Sequence, residues 1–164
     1  MTHTHPQPAS TDIEARLAHA ENRCREHGSR LTPIRRQVLG LLLKHGHGVK
    51  AYQLVDEMKS LHASTTPPTV YRALEFLQAE GLVHRLDMSN AFVACSAQDD
   101  AHGHVHHGLL LACPRCNAVA EVPDEQMSHA LAAWVHQAGY RLEGESIEIK
   151  ALCPACQKIA SATA

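Results

Sequence analysis

Residues His102 to Cys116 concentrate the side chains best suited to holding a metal ion. Four of the chain's fourteen histidines, His102, His104, His106 and His107, fall within six residues. An apolar run from Gly108 to Ala112 then leads into Cys113-Pro-Arg-Cys116. Imidazole and thiolate are donors that borderline-soft zinc favours, and a strand through the apolar run would fix both ends. By themselves the histidines suit a solvated loop equally well. The cysteines say more, because Cys153-Pro-Ala-Cys156 repeats the spacing of the first pair. Four thiolates close a tetrahedron with no open position, so Cys113, Cys116, Cys153 and Cys156 predict a structural zinc rather than a catalytic one. Redox chemistry at a single CxxC, the rival reading, would not need the second pair. The 36 residues between the pairs can hold strands and a helix, so the ion would staple that whole segment. Such sites contribute on the order of 10–16 kcal/mol at neutral pH.

Other donors are less clear. Cys24 falls on the apolar face of a predicted helix with Leu17 and Ala20, which suits a buried small hydrophobe. Cys95 ends a predicted strand just ahead of the histidine cluster, His84 is on the strand before it, and Glu121 follows Cys116 on the next. His3 and His5 fall in a tail without periodicity.

The chain of 164 residues is long enough for one ordinary domain or two small ones, with 45% hydrophobic and 20% charged residues. No apolar run approaches the roughly 20 residues of a membrane helix, and no basic-then-apolar leader opens the sequence, so a cytoplasmic location is expected. In a reducing compartment the six cysteines are better read as ligands than as disulfides. Residues 1–85 carry eleven Lys/Arg against eight Asp/Glu, and residues 86–164 four against nine. A basic half joined to an acidic half suits a polyanion-binding module fused to something else.

The elements that must position these groups follow from periodicity and capping. Thr11 with Glu14 predicts a capping box and a helix over about 12–27, ending near Gly28. Thr32-Pro33 predicts an N-cap and first helical position, with a stripe of Ile34, Val38, Leu41 and Leu42. Ala51, Leu54, Val55, Met58 and Leu61 predict a third helix. A fourth starts at Pro67-Pro68, burying Val70, Ala73, Leu74 and Leu77 and leaving Thr69, Tyr71 and Arg72 in its first turn. Residues 82–86 and 91–95 read as a hairpin around Ser89-Asn90. Helices followed by a hairpin are the order of a winged helix-turn-helix, whose later helix reads base edges in the major groove; arginine suits guanine there. The second half predicts strands at Gly108–Cys113, Val119–Val122, Tyr140–Leu142 and Ile147–Leu152. A helix starting at Pro123-Asp124 carries Leu131, Trp134, Val135 and Ala138.

The fold expected is therefore α+β, an N-terminal winged helix-turn-helix followed by a small α/β domain stapled by a zinc ion on four cysteines. Residues 1–10 form a disordered tail, 11–88 the DNA-binding domain with its wing strand continuing to about 95, and 89–164 the second domain.

Together, Arg30-Leu-Thr-Pro-Ile-Arg35, Pro68-Thr-Val-Tyr-Arg-Ala-Leu74, Gly81-Leu-Val-His84 and the histidine cluster before Cys113-x-x-Cys116 resemble the ferric-uptake-regulator family. Cys95 and the pattern around His84 resemble its zinc-uptake-regulator branch. The resemblance covers about residues 10–157. It implies a homodimeric, zinc-responsive transcriptional repressor of zinc-uptake genes that binds a pseudo-palindromic duplex, with residues 89–164 as the dimerisation domain. An iron- or peroxide-sensing regulator of the family is the alternative, and a zinc hydrolase or thiol peroxidase is disfavoured. The four cysteines match the family's structural zinc. A sensing zinc falls on His84, Cys95, His106 (with His104 the runner-up) and Glu121, ligands on both sides of the domain boundary. Thr69, Tyr71 and Arg72 match the DNA-contacting turn, the latter two as base contacts. Some relatives carry a further site that uses a late histidine. Here that position is Glu145, a departure that leaves a third site on His104 and Glu145 open. Two zinc ions per subunit are expected, or three with that site.

Overall fold

The computed structural model describes residues 10–96, 108–122, 125–142 and 146–162. It divides into two compact units, Met1–Cys95 and Ser96–Ala164. The division falls later than residue 88 because the hairpin's second strand belongs to the first unit's sheet and cannot be cut from it.

In the first unit, α1 (Ser10–Glu26), α2 (Pro33–His45), β1 (Val49–Lys50), α3 (Ala51–Leu61), α4 (Pro67–Ala79), β2 (Val83–Leu86) and β3 (Ala91–Ala94) follow in order. Val38, Leu42, Leu54, Met58, Val70, Leu74 and Leu77 are fully buried where α2, α3 and α4 meet. The apolar stripe of α4 lies where its 3.6-residue period predicts. That of α2 is rotated: Leu39 and Leu43 are buried with Val38 and Leu42, while Ile34 and Leu41 are only partly covered. Leu61, expected on the α3 stripe, is 57% exposed. Two predicted caps also differ. α1 already includes Ser10, so Thr11 lies inside its first turn. Thr32 holds the extended N-cap conformation before Pro33 but makes no side-chain cap bond. Cys24 is fully buried in this core, and burial raises its thiol pKa.

The hairpin is wider than expected. Strand β1 adds to β3, giving the antiparallel order β1-β3-β2. Two residues are too few to show a period, which is why β1 was not legible. The turn after α4 sets the hairpin's start. Gly81 has φ +68, its N–H donates to the Gln78 carbonyl at 2.9 Å, and Leu82 donates to Leu77 at 2.9 Å. This is a Schellman motif, and it turns the chain directly into β2.

In the second unit, β4 (Gly108–Ala112), β5 (Val119–Val122), α5 (Glu125–Gln137), β6 (Ser146–Lys150) and α6 (Pro154–Ala162) build a sheet of order β5-β4-β6. β4 pairs antiparallel with β5 and parallel with β6. β4 is thus the central strand, and Leu109 and Leu110, on opposite faces of it, are both buried. Tyr140–Leu142 is not a strand: the Tyr140 N–H caps α5 through the Val135 carbonyl at 3.1 Å, and its ring is 74% exposed. Trp134, predicted on the α5 stripe, is 66% exposed. The short α6, which opens with Pro154 at its first position, reads in the sequence only as a small-residue tail. Pro123-Asp124, the predicted helix start, lies outside the described residues, as does the tail over 1–9. Among the described residues no helix is long and apolar enough to cross a membrane.

Gly81→Ala puts a Cβ into a left-handed backbone conformation, at a cost of about 1–2 kcal/mol. Urea unfolding should show that loss. An unchanged midpoint would mean that the turn after α4 is not held left-handed.

Candidate metal centre and nucleic-acid interface

The four cysteines of the two CxxC pairs meet in the second unit. Register brings them together. Ala112 of β4 pairs with Lys150 of the parallel strand β6, so both strands end on the same edge, and the knuckles follow immediately. The first is a tight turn, in which Cys113 N–H donates to the Ala118 carbonyl at 2.8 Å and Asn117 N–H to the Cys113 carbonyl at 3.0 Å. Asn117 adopts φ +57. The second sits on α6: Cys153 precedes Pro154, and its Sγ accepts the Cys156 N–H at 3.5 Å. The sulfur there serves as a cap for the first turn of the helix.

The donor atoms of Cys113, Cys116, Cys153 and Cys156 all lie within 4.8 Å of one another, and Sγ of Cys116 and Cys153 are 3.5 Å apart. Tetrahedral zinc with bonds of about 2.3 Å needs sulfurs about 3.8 Å apart, so the four residues fit such an ion. All four cysteines are free. Cys113 and Cys156 are buried with Ala118, and Leu152 packs against them. Burial pushes the Cys113 thiol up, but bonds from the backbone of Cys153, Arg115 and Cys116 outweigh it and hold its pKa down at about 6. Burial and the three neighbouring sulfurs push Cys156 up to about 12, and burial raises Cys116.

The other predicted donors are distributed between the units. In the first, Cys95 N–H donates to the Leu82 carbonyl at 2.9 Å, extending the β2–β3 pairing one step past Ala94. His84 pairs with Val93, so His84, Val93 and Cys95 share a sheet face and the diagonal pair is in reach. The donor atoms of His84 and Cys95 lie within 4.8 Å. In the second, Glu121 on β5 accepts hydrogen bonds at one oxygen from Ser96 N–H, 3.0 Å, and Ser96 Oγ, 2.8 Å. His104, His106 and Glu145 lie outside the described residues.

The candidate DNA-reading surface is the outer face of α4. Burial of Val70, Ala73, Leu74 and Leu77 leaves Tyr71, 47% exposed, and Arg72 facing solvent. Thr69 is half-buried, with Oγ1 2.9 Å from Thr66 Oγ1. Tyr71 also lines a cleft of about 340 Å³ with Lys50, Tyr52, Arg85 and Asn90. Tyr52, also on this face of the cleft, is 59% exposed.

Because zinc must displace the protons that remain on the thiols, its affinity at the four-cysteine centre rises with pH. Zinc release to a chromogenic chelator should be slight at pH 8 and rise as pH falls through about 6, where Cys113 itself takes up a proton; pH-independent release would refute four-thiolate ligation. Cys113→Ser should lower the unfolding midpoint of the second unit strongly, with loss of bound zinc.

Residues 26–150 match the Ferric uptake regulator family. The zinc uptake regulation protein of Escherichia coli K12 is 34% identical over 149 residues, covering 91% of this chain and 85% of that protein. Among solved structures, a zinc uptake regulator complexed with zinc and DNA is similar with a TM-score of 0.80 at 32% identity, covering 94% of this chain and 99% of that one. Holo XcZur has a TM-score of 0.74 at 39% identity, covering 92% and 99%. With a family match across both units, and relatives at this identity covering nearly the whole chain, the protein belongs to the ferric uptake regulator family.

Proposed function

We propose that the protein is a zinc-sensing, DNA-binding transcriptional repressor of zinc-uptake genes, a regulator rather than an enzyme. The observation that carries this reading is the juxtaposition of His84 and Cys95 in the hairpin of the same unit whose α4 exposes Tyr71 and Arg72. A thiol beside an imidazole favours zinc, whereas an iron- or peroxide-sensing member of the family would have less use for it. The relatives named above support the same metal and the same polyanion.

On this reading His84 and Cys95 ligate the regulatory zinc together with His106 and Glu121 from the second unit. Bound zinc supplies bonds to donors on both units and so favours one mutual arrangement of them. Linkage then requires DNA to tighten zinc by the same factor by which zinc tightens DNA. Cys113, Cys116, Cys153 and Cys156 hold the second, structural zinc of each subunit, and a third site would draw on His104 and Glu145. The protein acts in the cytoplasm as a homodimer on a pseudo-palindromic operator, so that two α4 helices enter successive major grooves. Exposed Trp134, Tyr140 and Ile149 in the second unit supply apolar surface for self-association. Arg72 and Tyr71 read base edges, and Thr69 lies with them at the DNA-facing turn.

Cys95→Ser should leave a folded dimer that keeps its structural zinc and no longer responds to added zinc in a DNA-binding titration with buffered metal. A wild-type response would sink the sensing assignment. Arg72→Ala should relax discrimination at one base pair, an effect of about 1–3 kcal/mol. Weakening by the same factor on every duplex would instead make it a phosphate contact.

A further inference from the structure

Cys95 is the last residue of the first unit, and its two backbone polar groups are held from different sides. Its N–H donates to the Leu82 carbonyl in the hairpin. Its carbonyl accepts a hydrogen bond from the Arg16 guanidinium on α1, 79 residues earlier in the chain. The regular β2–β3 ladder stops at Ala94. With the peptide planes on both sides of its Cα held, the direction of the Cys95 Cβ is set, and Sγ is left only its rotamers.

Arg16 is suited to this use. It is half-buried, and Leu17 and Ala20 on the same helix are packed into the core, so its stem starts from a fixed base. The guanidinium stays charged at any working pH, and a bond from a charged donor is stronger than a neutral one. A separate ion pair, Glu14 with Arg36 of α2 at 2.6 Å, also tethers this helix.

We propose that Arg16 is a positioning residue for the regulatory zinc, presetting the Cys95 thiolate by holding the carbonyl of the same residue. The inference rests on the reading that Cys95 ligates that zinc. Groups that orient metal ligands from behind change affinity by roughly 10–100-fold.

The test measures DNA binding by the full-length protein against buffered free zinc, together with the thiolate-to-metal charge-transfer absorbance of the cobalt-loaded protein. Arg16→Met should raise the zinc midpoint by roughly 10-fold or more, with the plateau at saturating zinc still reached and the cobalt charge-transfer band from Cys95 weakened. Arg16→Lys, which can still donate to a carbonyl, should recover part of the shift. Should Arg16→Met fail to fold, Arg16→Leu, which likewise cannot donate a hydrogen bond, takes its place with the same expectation. Arg36→Met removes the other α1 tether and should leave the midpoint unchanged. An unshifted midpoint in the Arg16 variants, or an equal shift in Arg36→Met, overturns the inference. A Cys95→Ser protein measured in parallel separates the two levels. If it loses the zinc response while Arg16→Met keeps the wild-type midpoint, only the role of Arg16 fails; if it responds like wild type, the zinc reading fails and takes this inference with it.

Discussion

The first unit depends on how α4 is buried. Val70, Ala73, Leu74 and Leu77 can all reach the core only in one rotation of the helix about its axis. That rotation leaves Tyr71 and Arg72 outward, so which side chains α4 offers to solvent is fixed by the residues it buries. The same helix fixes the hairpin. Its C-terminal turn at Gly81 closes with Leu82 bonded back to Leu77, and His84 follows two residues later on β2. The outward face of α4 and the strand that carries His84 are thus joined through a single closed turn.

The second unit is held differently. Its described core is thin: Leu109 and Leu110 of β4 are buried, and a separate small cluster is made of Cys113, Ala118 and Cys156. α5 leaves Trp134 largely exposed. In so small a body hydrophobic burial leaves little margin over chain entropy, and a metal held by the four cysteines would join the ends of two parallel neighbours where packing is sparse. The cysteine pairs close the sheet at the edge where β4 and β6 both end. Burial and the neighbouring sulfurs push the Cys156 thiol up, whereas backbone hydrogen bonds hold Cys113 down.

α1 is more than a preceding helix. Besides burying Leu17, Ala20 and Cys24, it reaches the hairpin's last residue through Arg16, and His27, just past its C-terminus, places Nδ1 3.0 Å from an oxygen of Glu80 after α4. Arg23 approaches Gly81, where a Cβ would come within 3.0 Å of its guanidinium. The helix therefore touches both ends of the segment that joins α4 to Cys95.

Local chemistry made much of this legible in the sequence. The period of α4, the prolines opening α2 and α4, the glycines closing α1 and α4, the hairpin turn at Asn90 and the two CxxC pairs act over a few residues, and each leaves its mark there. The readings that failed needed information from elsewhere in the chain. β1 exists because β3 offers it a partner, and the buried face of α2 is chosen by α3 and α4 rather than by its own ambiguous run of leucines. Tyr140 is an apolar residue that only packing could have told from a strand. The convergence of Cys113 with Cys153 is expected from the repeated spacing, but its means, the parallel register that ends β4 and β6 together, belongs to the tertiary structure. The bond from Arg16 to Cys95 left no trace in spacing or composition, because a backbone carbonyl is present at every residue and only the tertiary structure decides which one an arginine reaches.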